Sequence, residues 1–116
     1  MNILILGSGI VGANLAKKLS EQGKNVFLLD DDANELKNLS ERFDIKTIYD
    51  DPLNPSFYKN FDSKIDCFIA VTRSDEKNII TSKFAKEFLK VDKSIARVRN
   101  QNLILDENKS LLIESN

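Results

Sequence analysis

The chain contains no histidine and no tryptophan, one cysteine, one methionine, two prolines and four glycines. Without histidine, neither a Ser-His-Asp nucleophile nor a histidine-based metal site can be built. The single cysteine, Cys67, cannot form an internal disulfide or a zinc finger, and it suits a reducing cytoplasm. Charge of one sign is also missing: 17 basic residues stand against 18 acidic ones, for a net charge of −1. No global basic field is available to hold nucleic acid or an acidic membrane surface. No apolar run approaches the roughly 20 residues of a membrane-spanning helix, so direct membrane insertion is not expected. Met1-Asn2-Ile3 enters a strand at once, with no basic leader or cleavage site, which argues against secretion. Enzyme chemistry would be left to Lys, Asp, Glu, Tyr or a cofactor.

What is present fits a single globular domain over residues 1–116. The composition is 41% hydrophobic and 30% charged, and 116 residues can bury a core unaided. There is no internal repeat, low-complexity block or Pro/Gly/Ser linker. Three of the glycines fall in one stretch, Ile3-Leu4-Ile5-Leu6-Gly7-Ser8-Gly9-Ile10-Val11-Gly12. A strand-length apolar run there meets a Gly-x-Gly-x-x-Gly turn that opens into a helix-patterned segment, Val11–Ser20. Gly7 permits the tight turn, Gly9 removes a side chain where a ligand comes close, and Gly12 lets the helix pack against the sheet. The first N–H groups of that helix have no partner within it and face outward with the positive end of the dipole, a site for phosphate.

Strand and helix signals then alternate. Val26–Leu29 is a continuous apolar run suited to a strand covered on both faces. Asp31 or Asp32 is placed to cap a helix whose buried stripe is Leu36, Leu39 and Phe43. Lys46–Tyr49 reads as a third strand. Two prolines exclude regular structure from Asp50–Pro55, and a short helix carrying Phe57, Tyr58 and Phe61 follows. Cys67–Val71 is the fourth strand. Thr72–Asp75 turns into a long helix with Ile79, Ile80, Phe84, Ala85, Phe88 and Leu89 inward. Ser94–Arg99 is the fifth strand. Beyond Gln101 a short helix and a last strand at Leu111-Leu112-Ile113 complete the pattern. This order implies an α/β, Rossmann-like doubly wound parallel sheet of five to six strands with helices on both faces. Ligands in such sheets sit beyond the carboxyl ends of the strands at the switch point.

The candidate site residues follow from that placement. Asp30 ends the second strand about 18 residues after Gly12, near the roughly 20 expected for an acidic ribose ligand. Its carboxylate suits a vicinal diol and repels a 2′-phosphate; the bland alternative is that it only caps the next helix. Asp31 beside it is a further candidate for the cofactor. Asp51 lies where an adenine edge would rest, or else is a solvated turn aspartate. Thr72, Asp75, Glu76 and Asn78 gather at the end of the fourth strand, where Ser74 or Asp75 can cap and Asn78 is harder to explain by propensity. Arg97 and Arg99 share a face of the fifth strand and need anionic partners: phosphates, a neighbouring subunit's carboxylates, or Glu76. Alternatively only Arg99 reaches the crevice. Cys67 reads as an inert core residue, and Tyr49 and Tyr58 as packed rings with wet hydroxyls.

Gly-Ser-Gly-Ile-Val-Gly, Leu29-Asp30, Ala70-Val71-Thr72 with Asp75-Glu76 and Asn78, and Ala96-Arg97-Val98-Arg99-Asn100 together resemble the N-terminal nucleotide-binding lobe of the regulator-of-potassium-conductance family, which includes the regulatory subunits of Trk and Ktr potassium-uptake systems. The Thr-x-x-Asp-Glu-x-Asn and Ala-Arg-Val-Arg segments are more specific than the glycine turn. The resemblance implies a non-catalytic domain that binds NAD(H) or ATP/ADP and works as a homo-oligomeric ring beneath a membrane potassium-translocating subunit, at the inner face of the cell membrane. It implies phosphate contacts at Gly7, Ser8, Gly9, Ile10, Val11 and Gly12, ribose on Asp30, adenine near Asp51, and nucleotide-facing roles for Thr72, Asn78 and Arg99. Many members carry Gly-Asp where this chain has Asp50-Asp51, which alters the adenine-side loop. The family's usual C-terminal lobe is not represented in these residues. The rival readings are the cofactor half of an NAD-dependent oxidoreductase, which would need a substrate site elsewhere, and a sugar-nucleotide or nucleoside-binding module unconnected with potassium.

Overall fold

The computed structural model describes residues 1–103 and the backbone of 114–115. The chain runs β1 (Asn2–Leu6), α1 (Ile10–Glu21), β2 (Asn25–Asp30), α2 (Ala33–Arg42), β3 (Lys46–Tyr49), α3 (Pro55–Asn60), β4 (Cys67–Ala70), α4 (Asp75–Phe84), β5 (Lys93–Ala96) and β6 (Glu114–Ser115). One sheet has the order β3-β2-β1-β4-β5-β6. The first five strands are parallel, and β6 pairs antiparallel with β5. From β1 the chain winds outward through β2 and β3, then returns to the other side of β1 as β4. That reversal opens a crevice beyond the ends of β1 and β4.

The continuous apolar runs are explained by a sheet buried on both faces. Ile3, Ile5, Val26 and Leu28 point to one side, where Ala16 of α1 and Leu36 and Leu39 of α2 cover them. Leu4, Leu6, Phe27 and Leu29 point to the other, beneath Tyr58 of α3 and Ala85. Successive side chains alternate across the strand, so a strand covered twice must be apolar at every position. The second face is rich in rings, with Phe27 and Phe61 edge-to-face at 5.6 Å and Tyr58 and Phe68 at 6.2 Å.

Several local expectations are corrected. The prolines do not exclude helix at Pro55, which occupies the first position of α3, where no N–H is needed. Asn54 caps that helix by accepting from the Ser56 amide. The Tyr58 hydroxyl is not wet: the residue is 1% exposed, and the hydroxyl donates to the Pro52 carbonyl at 2.7 Å. Burial, with the negative charges of Asp51 and Asp50, pushes the phenol well above its ordinary pKa.

Of the residues expected inward on the helix after β4, Ala85 is buried and Phe84, Phe88 and Leu89 pack against the core, but the buried positions before Phe84 are polar. Asn78, Thr81 and Ser82 are buried there, while Ile80 is 44% exposed. Thr81 and Ser82 donate to the carbonyls of Lys77 and Ile79 in their own helix, so their hydroxyls are satisfied without water. Ser94 of β5 donates to the Ser82 carbonyl at 2.7 Å, which ties helix to sheet. After Phe84 the helix widens into a π-helical turn over Ala85–Leu89 and ends at Lys90 in left-handed conformation. Strand β5 stops at Ala96, so Arg97 and Arg99 lie beyond it rather than along it. A 3₁₀ turn occupies Gln101–Leu103. The expected strand at Leu111-Leu112-Ile113 lies outside the described residues.

Candidate functional site: a crevice at the strand ends

The glycine turn is built as its spacing requires. Gly7 has φ +117°, a conformation that L side chains rarely adopt, and a Cβ there would press to 3.2 Å on the backbone of Val71 and Thr72. A Cβ on Gly12 would fall 1.7 Å from the Gly7 carbonyl oxygen, so the start of α1 can lie against β1 only with glycine at this position. Gly9 has open space where its side chain would be. It is the N-cap of α1 and provides no side-chain acceptor, and the first turn of α1 carries no acidic residue. The leading N–H groups of this helix therefore have neither a capping side chain nor a neutralising carboxylate in its first turn.

At the end of β2 the Asp30 carboxylate faces the same turn. One oxygen accepts from the Ser8 amide at 2.6 Å and the Ser8 hydroxyl at 2.7 Å. The other accepts from the amides of Asp31 at 2.7 Å and Asp32 at 3.1 Å. Burial works to raise the Asp30 pKa, but the bonds from Ser8 and Asp31 outweigh it and hold the carboxyl below the usual range. Asp30 does not cap α2; Asp32 does, by accepting from the Glu35 amide at 3.1 Å.

Across the crevice, the ends of β4 and β5 are joined by one buried amide. Asn78, 0% exposed, accepts through Oδ1 from the Thr72 amide and hydroxyl and donates through Nδ2 to the carbonyls of Thr72 and Arg97. The helix cap is Ser74, which accepts from the Lys77 amide. Asp75 instead receives the backbone amides of Arg99 at 3.0 Å and Asn100 at 2.7 Å, and these bonds depress its pKa, with the nearby charges of Arg99 and Arg97 adding to the effect. The Arg99 guanidinium donates to the Arg73 carbonyl at 2.6 Å. Glu76 takes no part in that clamp; it accepts from Ser74 at 3.4 Å.

The crevice so formed has a volume of about 1090 Å³. Gly7, Ser8, Gly9, Ile10, Val11, Asp30, Asp31, Thr72 and Arg99 of the expected residues line it. Gly12 and Asn78 are buried behind its wall, and their contacts are with the protein itself. Asp51 is exposed on the α3 side, outside the lining, where it accepts from the Leu53 amide as a turn aspartate does. Arg73 and Lys77 line the crevice with Arg97 and were not singled out in the sequence. Arg73 could have been nominated by its position just after β4, since loops at strand carboxyl ends face the ligand side. The charged lining is unequally divided: Asp30, Asp31, Asp32 and Glu35, with the single cation Arg42, come from the end of β2 through α2, and Arg73, Lys77, Arg97 and Arg99 from the segments that follow β4 and β5.

An open parallel sheet that reverses at β1 and β4, with a glycine turn entering α1 and an acidic residue closing β2, is a Rossmann-like fold. Residues 3–109 match the model of the TrkA-N domain, and the chain belongs to that family. Over 94% of its length it is 30% identical to the Trk system potassium uptake protein TrkA of Haemophilus influenzae, and over 85% it is 36% identical to that of Halomonas elongata. It spans about a quarter of those relatives, 24% and 22% of their lengths. Among solved structures, the NAD(P)-binding domain of an exopolyphosphatase-related protein from Archaeoglobus fulgidus superposes with a TM-score of 0.77 at 24% identity, over 87% of this chain and 75% of that one. UDP-glucose 4-epimerase from Bifidobacterium longum gives 0.63 at 14% identity, over 78% of this chain and 33% of that one. At these identities the structural likeness concerns the fold.

Proposed function

We propose that the chain is the nucleotide-binding regulatory module of a Trk-type potassium-uptake system and takes an adenine nucleotide, NAD(H) or ATP/ADP, in the crevice. The observation that carries this reading is the convergence of the glycine turn, the Asp30 carboxylate and the basic strand ends on one cleft at the switch point. Ribose is assigned to Asp30, with Asp31 beside it, phosphates to the crevice-lining start of α1 at Gly9, Ile10 and Val11, and the far end of the ligand to Thr72 and Arg99. The amides of Gly7 and Ser8 are already given to the Leu29 carbonyl and the Asp30 carboxylate. Asn78 acts through Thr72 by holding its loop. With Asp51 outside the lining, the adenine edge is left to the α2 side of the crevice, where Leu39, Arg42 and Phe43 form the wall.

The module is regulatory rather than catalytic. Its nucleotide changes how copies of the domain meet in a homo-oligomer at the cytoplasmic face of a membrane potassium-translocating subunit. A ligand shifts such an equilibrium only through its differential affinity for the two arrangements. No helix among the described residues is long and apolar enough to cross a membrane, which is consistent with attachment through a partner.

Thermal unfolding with NAD, NADH, NADPH, ATP, ADP and AMP in turn tests the reading. Ligand at about 100 times its Kd stabilises the fold by about 2.7 kcal/mol, a rise of roughly 10 °C for a domain of this size. The expected result is a rise with NADH or ATP and little change with NADPH, whose 2′-phosphate meets Asp30. Six flat midpoints would remove the nucleotide from the proposal.

A further inference from the structure

The Asp30 carboxylate already has a full set of partners within the chain. Its two oxygens accept four hydrogen bonds, from the Ser8 amide, the Ser8 hydroxyl and the amides of Asp31 and Asp32, all between 2.6 and 3.1 Å. Two carboxylate oxygens have about four lone-pair directions between them. A vicinal diol arriving at Asp30 therefore has to take over a direction that is in use. Three of the four donors are backbone amides whose directions are set by the glycine turn and the end of β2. Only the Ser8 hydroxyl can leave by rotating about a single side-chain bond. Ser8 lies in the crevice wall yet is 4% exposed, so its hydroxyl is held on the carboxylate and shielded from water.

We propose that Ser8 is a specificity-determining residue of the ribose position: its hydroxyl competes with a ligand's 2′,3′-diol for Asp30 and must swing away for the diol to bind. This rests on the nucleotide reading of the crevice and adds an internal competitor to it. The competition has a structural consequence. Ser8 ties the glycine turn to the end of β2 through its amide and its hydroxyl, and a bound ribose releases the hydroxyl tie while leaving the amide tie in place. Ligand occupancy thereby changes how firmly the turn before α1 is fastened to the sheet.

The test compares ADP with 2′,3′-dideoxy-ADP by calorimetric titration of the wild type and of Ser8→Ala. ADP carries the adenosine diphosphate portion shared by NAD(H), ATP and ADP, and the dideoxy compound differs only in lacking the diol. In Ser8→Ala the diol meets no competitor, so the preference for ADP over its dideoxy analogue should grow about tenfold, the size of one hydrogen bond to a charged group. Ser8→Gly, which also lacks the hydroxyl, should behave like Ser8→Ala and replaces it if the alanine variant does not fold. Equal preference in wild type and variant, with ADP binding the wild type, would overturn the role of Ser8 and leave the nucleotide site standing. A folded wild type that binds neither compound would overturn the site itself, and Ser8's role with it.

Discussion

At the scale of single residues, Asp30 joins a structural tie and the proposed ribose position in one carboxylate. It fastens the glycine turn to β2 and lines the crevice at the position proposed for a ribose. Because Ser8 and Asp31 hold its pKa below the ordinary aspartate value of about 3.9, the folded state binds fewer protons than the unfolded state in that range. The contribution to stability is therefore complete above about pH 5 and is lost as the pH falls through the unfolded value towards the lower folded one. Asp30→Asn lacks that titration. Urea unfolding of the two proteins should show a stability gap at neutral pH that narrows between about pH 5 and pH 3; a gap independent of pH would contradict the assignment. Asp75, whose pKa is lowered by the Arg99 and Asn100 amides, adds its own acid sensitivity to both proteins and cancels in the comparison.

At the scale of elements, the decisive feature is the inward face of α4. An amphipathic pattern places its large apolar residues inside, but the positions nearest the sheet belong to Asn78, Thr81 and Ser82. Asn78 is explained by what it joins. Parallel strands β4 and β5 end side by side with carbonyls and amides past their last ladder bond, and a buried amide side chain supplies both a donor and an acceptor there. Asn78→Ala would leave the Thr72 amide and the Thr72 and Arg97 carbonyls without this partner. Loss of about 3 kcal/mol of stability is expected, from unmet buried polar groups rather than from lost volume. Urea denaturation measures it, and the isosteric but apolar Asn78→Leu should not restore it. A cost below about 1 kcal/mol would show that water replaces the amide.

At the scale of the whole molecule, a net charge of −1 conceals a strong internal division. The acidic residues after β2 and the basic ones after β4 and β5 are far apart in sequence, and the winding of the sheet brings them into the lining of one crevice. A ligand with a sugar at one end and phosphate beyond it matches that division. The basic segments are partly open to solvent, so their attraction is screened by salt. Binding of ADP should weaken severalfold between about 0.05 and 0.5 M salt, while adenosine, without phosphate, should bind with little salt dependence. Equal dependence for the two would remove Arg73, Lys77, Arg97 and Arg99 from the phosphate side.

The architecture was legible in the sequence because it depends on local order: apolar runs of strand length, helical spacing between them, and glycines at a spacing that one turn geometry requires. The glycine turn, Asp30 and the end-of-strand position of Thr72 could be named from that order alone. The errors have a common cause, which is that the partner of a polar group is set by contacts distant in sequence. Tyr58 is dry because the Pro52 carbonyl waits beneath it. Asp51 turns to its own loop; Arg97 still bonds β4 through its amide to the Ala70 carbonyl, while Arg99 turns away to the Asp75 carboxylate. Asn78 serves two strand ends that only the folded sheet makes adjacent. Sequence by itself determined the class of sheet, parallel and covered on both faces, and put the glycine turn at the end of its first strand. The order of the strands, and with it the reversal at β1 and β4, was decided by the tertiary structure, because the same alternation also suits other orders. Tertiary structure alone decided which side chains face that crevice and which hold its wall, because hydrogen-bond partners are chosen in space.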